Sequence, residues 1–86
     1  MLKLIDSLQI NAPFESYPIV EEYGAFKLQS VTTYSTRGIS GQDLLRETFS
    51  TKQEALDFIS KRRERSKAVL VITHLSDGRI DFEAYA

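Results

Sequence analysis

The chain contains no cysteine and no tryptophan, one methionine, one histidine and two prolines among its 86 residues. The absence of cysteine excludes disulfides and thiolate metal sites, so packing alone must hold the core. The single histidine and the scattered carboxylates lack the spacing of a metal-ligand set, and no cofactor motif is present. Long hydrophobic runs are also missing. The longest nearly uncharged one, Ala68-Val69-Leu70-Val71-Ile72, is far too short for a membrane-spanning helix, which leads to the expectation of no membrane partner. The N-terminus reaches Asp6 without a signal-peptide cleavage pattern, so the protein is expected to be cytoplasmic. An excess of one charge is lacking too: the net charge is −1. That total hides an asymmetry, because residues 61–67 hold five bases and one acid while the remainder of the chain is acidic.

An apolar fraction of 42% and a charged fraction of 27% describe an ordinary globular chain, long enough for one domain over residues 1–86. Residues 1–18 read as an N-terminal arm or short helix built on Leu2, Ile5 and Leu8 at spacings of three, with Leu4 beside them, followed by a loop or edge segment punctuated by Pro13 and Pro18. Residues 19–49 read as strands. Ile19 to Tyr23 and Ala25 to Ser35 form a hairpin around Gly24. Strict alternation in the second strand places Phe26, Leu28, Ser30, Thr32 and Tyr34 on one face, and Ala25, Lys27, Gln29, Val31 and Thr33 on the other. The glycine-rich segment 36–43 reads as a flexible loop presenting Arg37 and Ile39, and Leu44 to Phe49 as a third strand.

Residues 50–67 read as a helix. Either Ser50 with Gln53 or Thr51 with Glu54 can form its capping box, since each supplies an oxygen for a first-turn N–H that has no helical partner. Ala55, Leu56, Phe58 and Ile59 form a narrow apolar stripe. Residues 68–86 read as a hairpin with Asp77-Gly78 as a two-residue type I′ loop. That loop sets His74 against Asp81 and Thr73 against Phe82. Val69, Val71, Thr73, Leu75, Ile80, Phe82 and Ala84 then form the core face, and Leu70, Ile72, His74, Asp81, Glu83 and Tyr85 the other. The resulting expectation is an α+β domain of order β-β-β-α-β-β, with an antiparallel sheet of four or five strands and one main helix on one face. One helix covers only one side of such a sheet, which leaves the second open.

Lys61, Arg62, Arg63, Arg65 and Lys67 compose a basic patch. Cations at a helix C-terminus are favoured by the helix dipole, so solvated helix-end electrostatics is the first reading of this patch, and contact with nucleic-acid phosphates or an acidic protein the second. His74 and Asp81 are the only acid–base candidate. No nucleophile accompanies them, so no catalytic residue is assigned and the protein is expected not to be an enzyme.

The stretch Gly24-Ala25-Phe26-Lys27-Leu28, followed by Arg46-Glu47-Thr48-Phe49-Ser50-Thr51-Lys52-Gln53-Glu54-Ala55, resembles the arm-type DNA-binding domain of phage integrases. That resemblance spans residues 24–65 and implies three strands, a capped helix and DNA contact. The chain departs from the pattern by its C-terminal hairpin and by the lack of a basic sheet face. The expectation for function is therefore a small interaction module that regulates or inhibits a partner protein, of a type encoded by phages and mobile elements, for example as anti-defence proteins. Its predicted contact residues are Arg37, Ile39, Leu70, Ile72 and Tyr85, and its partner is either another protein with an acidic surface or a second copy docked on the open face. Binding of nucleic acid through residues 61–67 is the alternative.

Overall fold

A computed structural model describes residues 2–63 and 67–86. The chain forms β1 (Leu4–Ile5), a single 3-10 turn (Ser7–Gln9), β2 (Phe14–Glu22), β3 (Ala25–Ser35), β4 (Gly38–Phe49), α1 (Lys52–Arg62), β5 (Ala68–His74) and β6 (Ile80–Tyr85). The six strands make one sheet in the order β1-β6-β5-β2-β3-β4. The fold is α+β with one helix, as expected. The sheet, however, is mixed and six-stranded, because β5 returns after the helix to lie parallel to β2 at the centre.

That parallel pairing revises the reading of residues 14–18. Pro18 suggested a loop or an edge, yet β2 is flanked on both sides. The ladder from β2 to β3 breaks between Ser16 and Ile19, the interval that contains Pro18, while its register with β5 runs unbroken from Phe14 to Val20. A proline has no N–H to donate, and a bulge is where an inner strand accommodates one. The same irregularity, between Leu28 and Ser30 of β3, shifts the alternation there. Phe26, Leu28 and Val31 consequently share the helix side, and Lys27, Ser30, Thr32 and Tyr34 share the other, in place of the strict alternation anticipated.

Segment 36–43 is also a strand rather than a flexible loop. Thr36 and Arg37 form a tight turn, Gly38 takes φ +110°, and β4 begins at once. The Ser35 hydroxyl organises this corner, donating to the Gly38 carbonyl at 3.2 Å and accepting from the Arg37 N–H at 3.2 Å.

Helix α1 starts on Thr51, whose hydroxyl accepts the Glu54 N–H at 3.1 Å, so Thr51 rather than Ser50 is the N-cap. Ser50 and Thr51 both also donate to the Glu54 carboxylate. The helix ends at Arg62, shorter than expected, and Glu64 to Ser66 lie outside the described residues. Ala55 and Ile59 are buried against Tyr17, Ile19, Leu28, Val31, Val69, Val71 and Tyr85. Phe58 meets Phe49 at a ring separation of 5.5 Å, and Lys52 pairs with Glu83 on β6. These contacts define a helix face and an open face of the sheet.

The C-terminal hairpin holds the largest departure. The Gly78 N–H bonds to the Leu75 carbonyl at 3.0 Å and the Leu75 N–H to the Arg79 carbonyl at 2.9 Å. Ser76-Asp77-Gly78 is thus a three-residue loop, with Gly78 at φ +93° as its left-handed residue. Asp77 stabilises it, accepting the Arg79 N–H at 3.0 Å and the Arg79 guanidinium at 2.6 Å. The register becomes His74–Ile80, Thr73–Asp81, Ile72–Phe82, Val71–Glu83, Leu70–Ala84 and Val69–Tyr85. One residue of slip exchanges the two faces of β6. His74 does not oppose Asp81 but lies on the other side of the sheet from it, and the anticipated acid–base pair is not formed.

Candidate functional site

The open face follows from the registers. Phe14, Ser16, Pro18 and Val20 of β2 lie beside Ala68, Leu70, Ile72 and His74 of β5. Leu70, Ile72 and His74 in turn oppose Ala84, Phe82 and Ile80 of β6. On the far side, Phe14 opposes Tyr34, which opposes Ile39, and Ser30 opposes Leu44. The result is an apolar surface across β6, β5 and β2 that reaches Tyr34 and Ile39, with Ser16, Ser30, Thr32 and Gln42 interspersed on the way to Leu44. Phe14 and Tyr34 stack with centroids 4.9 Å apart, and Ile39, Leu44, Ile80 and Phe82 are 66, 86, 49 and 60% exposed. Leu70 and Ile72 are half-buried between these exposed side chains.

Of the predicted contact residues, Ile39, Leu70 and Ile72 share this face, and Arg37 stands at its rim in the β3–β4 turn. Tyr85 does not join them. The register places it opposite Val69 on the helix face, where it is 8% exposed. Burial, with the neighbouring Glu83 carboxylate adding to it, pushes its hydroxyl up to about 12. Ile80 and Phe82, expected in the core, take its place on the open face. Phe14, Tyr34 and Leu44 were not anticipated there either. The signal for Ile80 and Phe82 was Ser76 before Asp77-Gly78, which admits a three-residue loop as readily as a two-residue one.

Charge is partitioned between the two faces. Among strand residues, Glu15, Glu21, Asp43, Glu47, Asp81 and Glu83 project on the helix side. The open side carries Lys27, Arg46 and one acid, Glu22, which pairs with Lys27 at 3.4 Å. The open face is therefore apolar with a mildly basic border toward β3 and β4.

Two arginines of the basic helix end, Arg62 and Arg63, are engaged within the fold. The Arg62 guanidinium contacts Asp43 at 3.3 Å and lies beside the Tyr17 hydroxyl. Tyr17 donates to the buried Glu15 carboxylate at 2.9 Å, and its hydroxyl is strongly raised, by burial first and then by that bond. Arg63 bonds the Lys67 carbonyl at 3.5 Å, while its N–H closes the helix on Ile59 at 2.8 Å. Lys61 is exposed, and Arg65 lies outside the described residues. Glu15, Tyr17, Asp43 and Arg62 form one network beneath the helix terminus, which accounts for an arginine at that position.

A second cluster joins the two hairpin tips. Glu21 accepts the Gly24 N–H at 3.2 Å, the Ser76 hydroxyl at 3.0 Å and the Ser76 N–H at 3.4 Å. These bonds, the Gly24 amide foremost, hold its carboxyl below the usual carboxylate range. Tyr23, at the β2–β3 tip, is fully exposed with φ +52°. Among the described residues no cluster of three or more metal-binding side chains occurs, and no helix is long and apolar enough to cross a membrane. No family model, curated protein or solved structure matches the chain.

Proposed function

We propose that the protein is a small non-enzymatic interaction module that regulates or inhibits a partner protein by docking it on the open sheet face. The observation that carries this reading is the exposure of Ile39, Leu44, Ile80 and Phe82 on the side of the sheet opposite the helix. Contiguous apolar surface of this kind, bordered by polar residues, marks an interaction site more often than a solvated surface. The aromatic members Phe14, Tyr34 and Phe82 suit the anchors that dominate binding energy in such contacts. Partner chemistry follows from the border. An apolar surface carrying acids toward Arg46 and Lys27 complements this face, whereas a basic one opposes it. A chain of this size and type fits regulators carried by phages and mobile elements.

The test is capture from host lysate after nuclease treatment. It compares the native chain with Phe82→Glu on the open face and Lys61→Glu on the helix end. Recovery of the same partner by the native chain and by Lys61→Glu, and its loss with Phe82→Glu, supports docking on the open face. Recovery that disappears with nuclease and with Lys61→Glu assigns the chain to nucleic acid and overturns it.

A further inference from the structure

The two edges of the sheet are unequal. At one, β1 contributes only Leu4 and Ile5, next to the reciprocal backbone bonds between Lys3 and Ala86. At the other, β4 runs twelve residues with β3 on one side only, contains no proline, and is exposed at every position except Leu45 and Phe49. Such an edge presents a row of unpaired N–H and C=O groups, which proteins normally shorten, interrupt, cover or pair. Near its middle stands Leu44, the most exposed aliphatic side chain among the described residues.

We propose that the protein is a homodimer in which β4 pairs antiparallel with β4 of a second copy about a two-fold axis at Leu44. The sheet would then be continuous, with six strands from each copy. This inference does not depend on the function proposed for the open face.

The register is chosen by charge. A two-fold axis perpendicular to the sheet keeps each face continuous, so each residue meets one an even number of positions away. Centred on Leu44, the pairing sets Leu44 against Leu44, Gln42 against Arg46, Asp43 against Leu45, and Gly41 against Glu47. No like charges oppose each other. Centred on Asp43 or Arg46, the axis places that charge against itself, and centred on Leu45 it places Asp43 against Glu47. Like charges directly across strands are destabilising. Centring on Gln42 avoids them but leaves Leu44 against Ser40, with no apolar contact at the axis. The edge is thus self-complementary at the one register that joins its exposed leucines, which favours a second copy over an unrelated extended peptide.

Light scattering coupled to gel filtration, run across a concentration series, gives the mass. A dimeric mass is expected for the native chain and for Phe82→Glu, and a monomeric mass for Leu44→Lys, which places like charges on the axis while circular dichroism remains unchanged. Because the chain has no other thiol, Leu44→Cys should oxidise to a covalent dimer of native circular dichroism. A native chain that is monomeric throughout the series overturns the proposal. So does a dimer that survives Leu44→Lys, or one lost in Phe82→Glu but not in Leu44→Lys, which would place the interface on the open face instead.

Discussion

Two residues carry costs visible in their surroundings, and a third ties stability to pH. Thr73 is fully buried, and its Oγ1 has no hydrogen-bond partner among the described residues. Thr73→Val keeps the shape and the branched Cβ while removing an unpaired hydroxyl, so it should raise stability by about 1 kcal/mol in urea denaturation. Tyr23 occupies the left-handed region that glycine and asparagine enter more easily. Tyr23→Gly should increase the midpoint of unfolding, by about 0.5–1 kcal/mol in stability, because the side chain is fully exposed and loses no packing. Glu21 makes stability depend on pH. Its folded-state carboxyl titrates below its unfolded value, so its contribution is complete above the ordinary carboxylate range and disappears as pH falls through the folded value. Thermal unfolding of Glu21→Gln followed from neutral to acid pH should therefore lose less stability than the native chain does.

At the scale of elements, the helix cap is the most local feature and was the most legible. Thr51, Glu54 and the following apolar stripe are contiguous in sequence, and the structure selects one of two capping arrangements already apparent there. Thr51→Ala should cost about 1 kcal/mol in chemical denaturation, since it removes the acceptor for the Glu54 N–H. Features that depend on distant partners were less legible. Nothing near Pro18 signals that β5, some fifty residues later, will lie parallel to β2 and make it central. The bulge in β3 that rotates Val31 inward is paired with that proline across the sheet, not within its own strand. The β5–β6 hairpin turned on a single residue. Ser76-Asp77-Gly78 closes through the Leu75–Gly78 bond and a left-handed Gly78, and this moves Phe82 out of the core and Tyr85 into it. A period-two pattern cannot discriminate between two registers when both faces of β5 are apolar, as Val69-Leu70-Val71-Ile72 makes them.

For the whole molecule, one short helix is laid on a sheet wider than it can cover, and the face left uncovered is apolar rather than polar. The acids of the strands are concentrated on the helix side, where Lys52 and Arg62 meet Glu83 and Asp43. A face intended only for solvent would carry those charges itself. Leu70 and Ile72 were identifiable from alternation and Ile39 only as a residue of a supposed loop, while the band they belong to required the three-dimensional registers that bring Phe14, Tyr34 and Phe82 alongside. The most direct measurement is hydroxyl-radical footprinting of side chains in the free protein and in its captured complex. If the open face is the working surface, oxidation should fall at Phe82, Ile80 and Tyr34 and remain unchanged at Tyr23 and Leu4. Protection confined to Leu4, Leu56 and the helix side, with Phe82 as reactive as in the free chain, would contradict it.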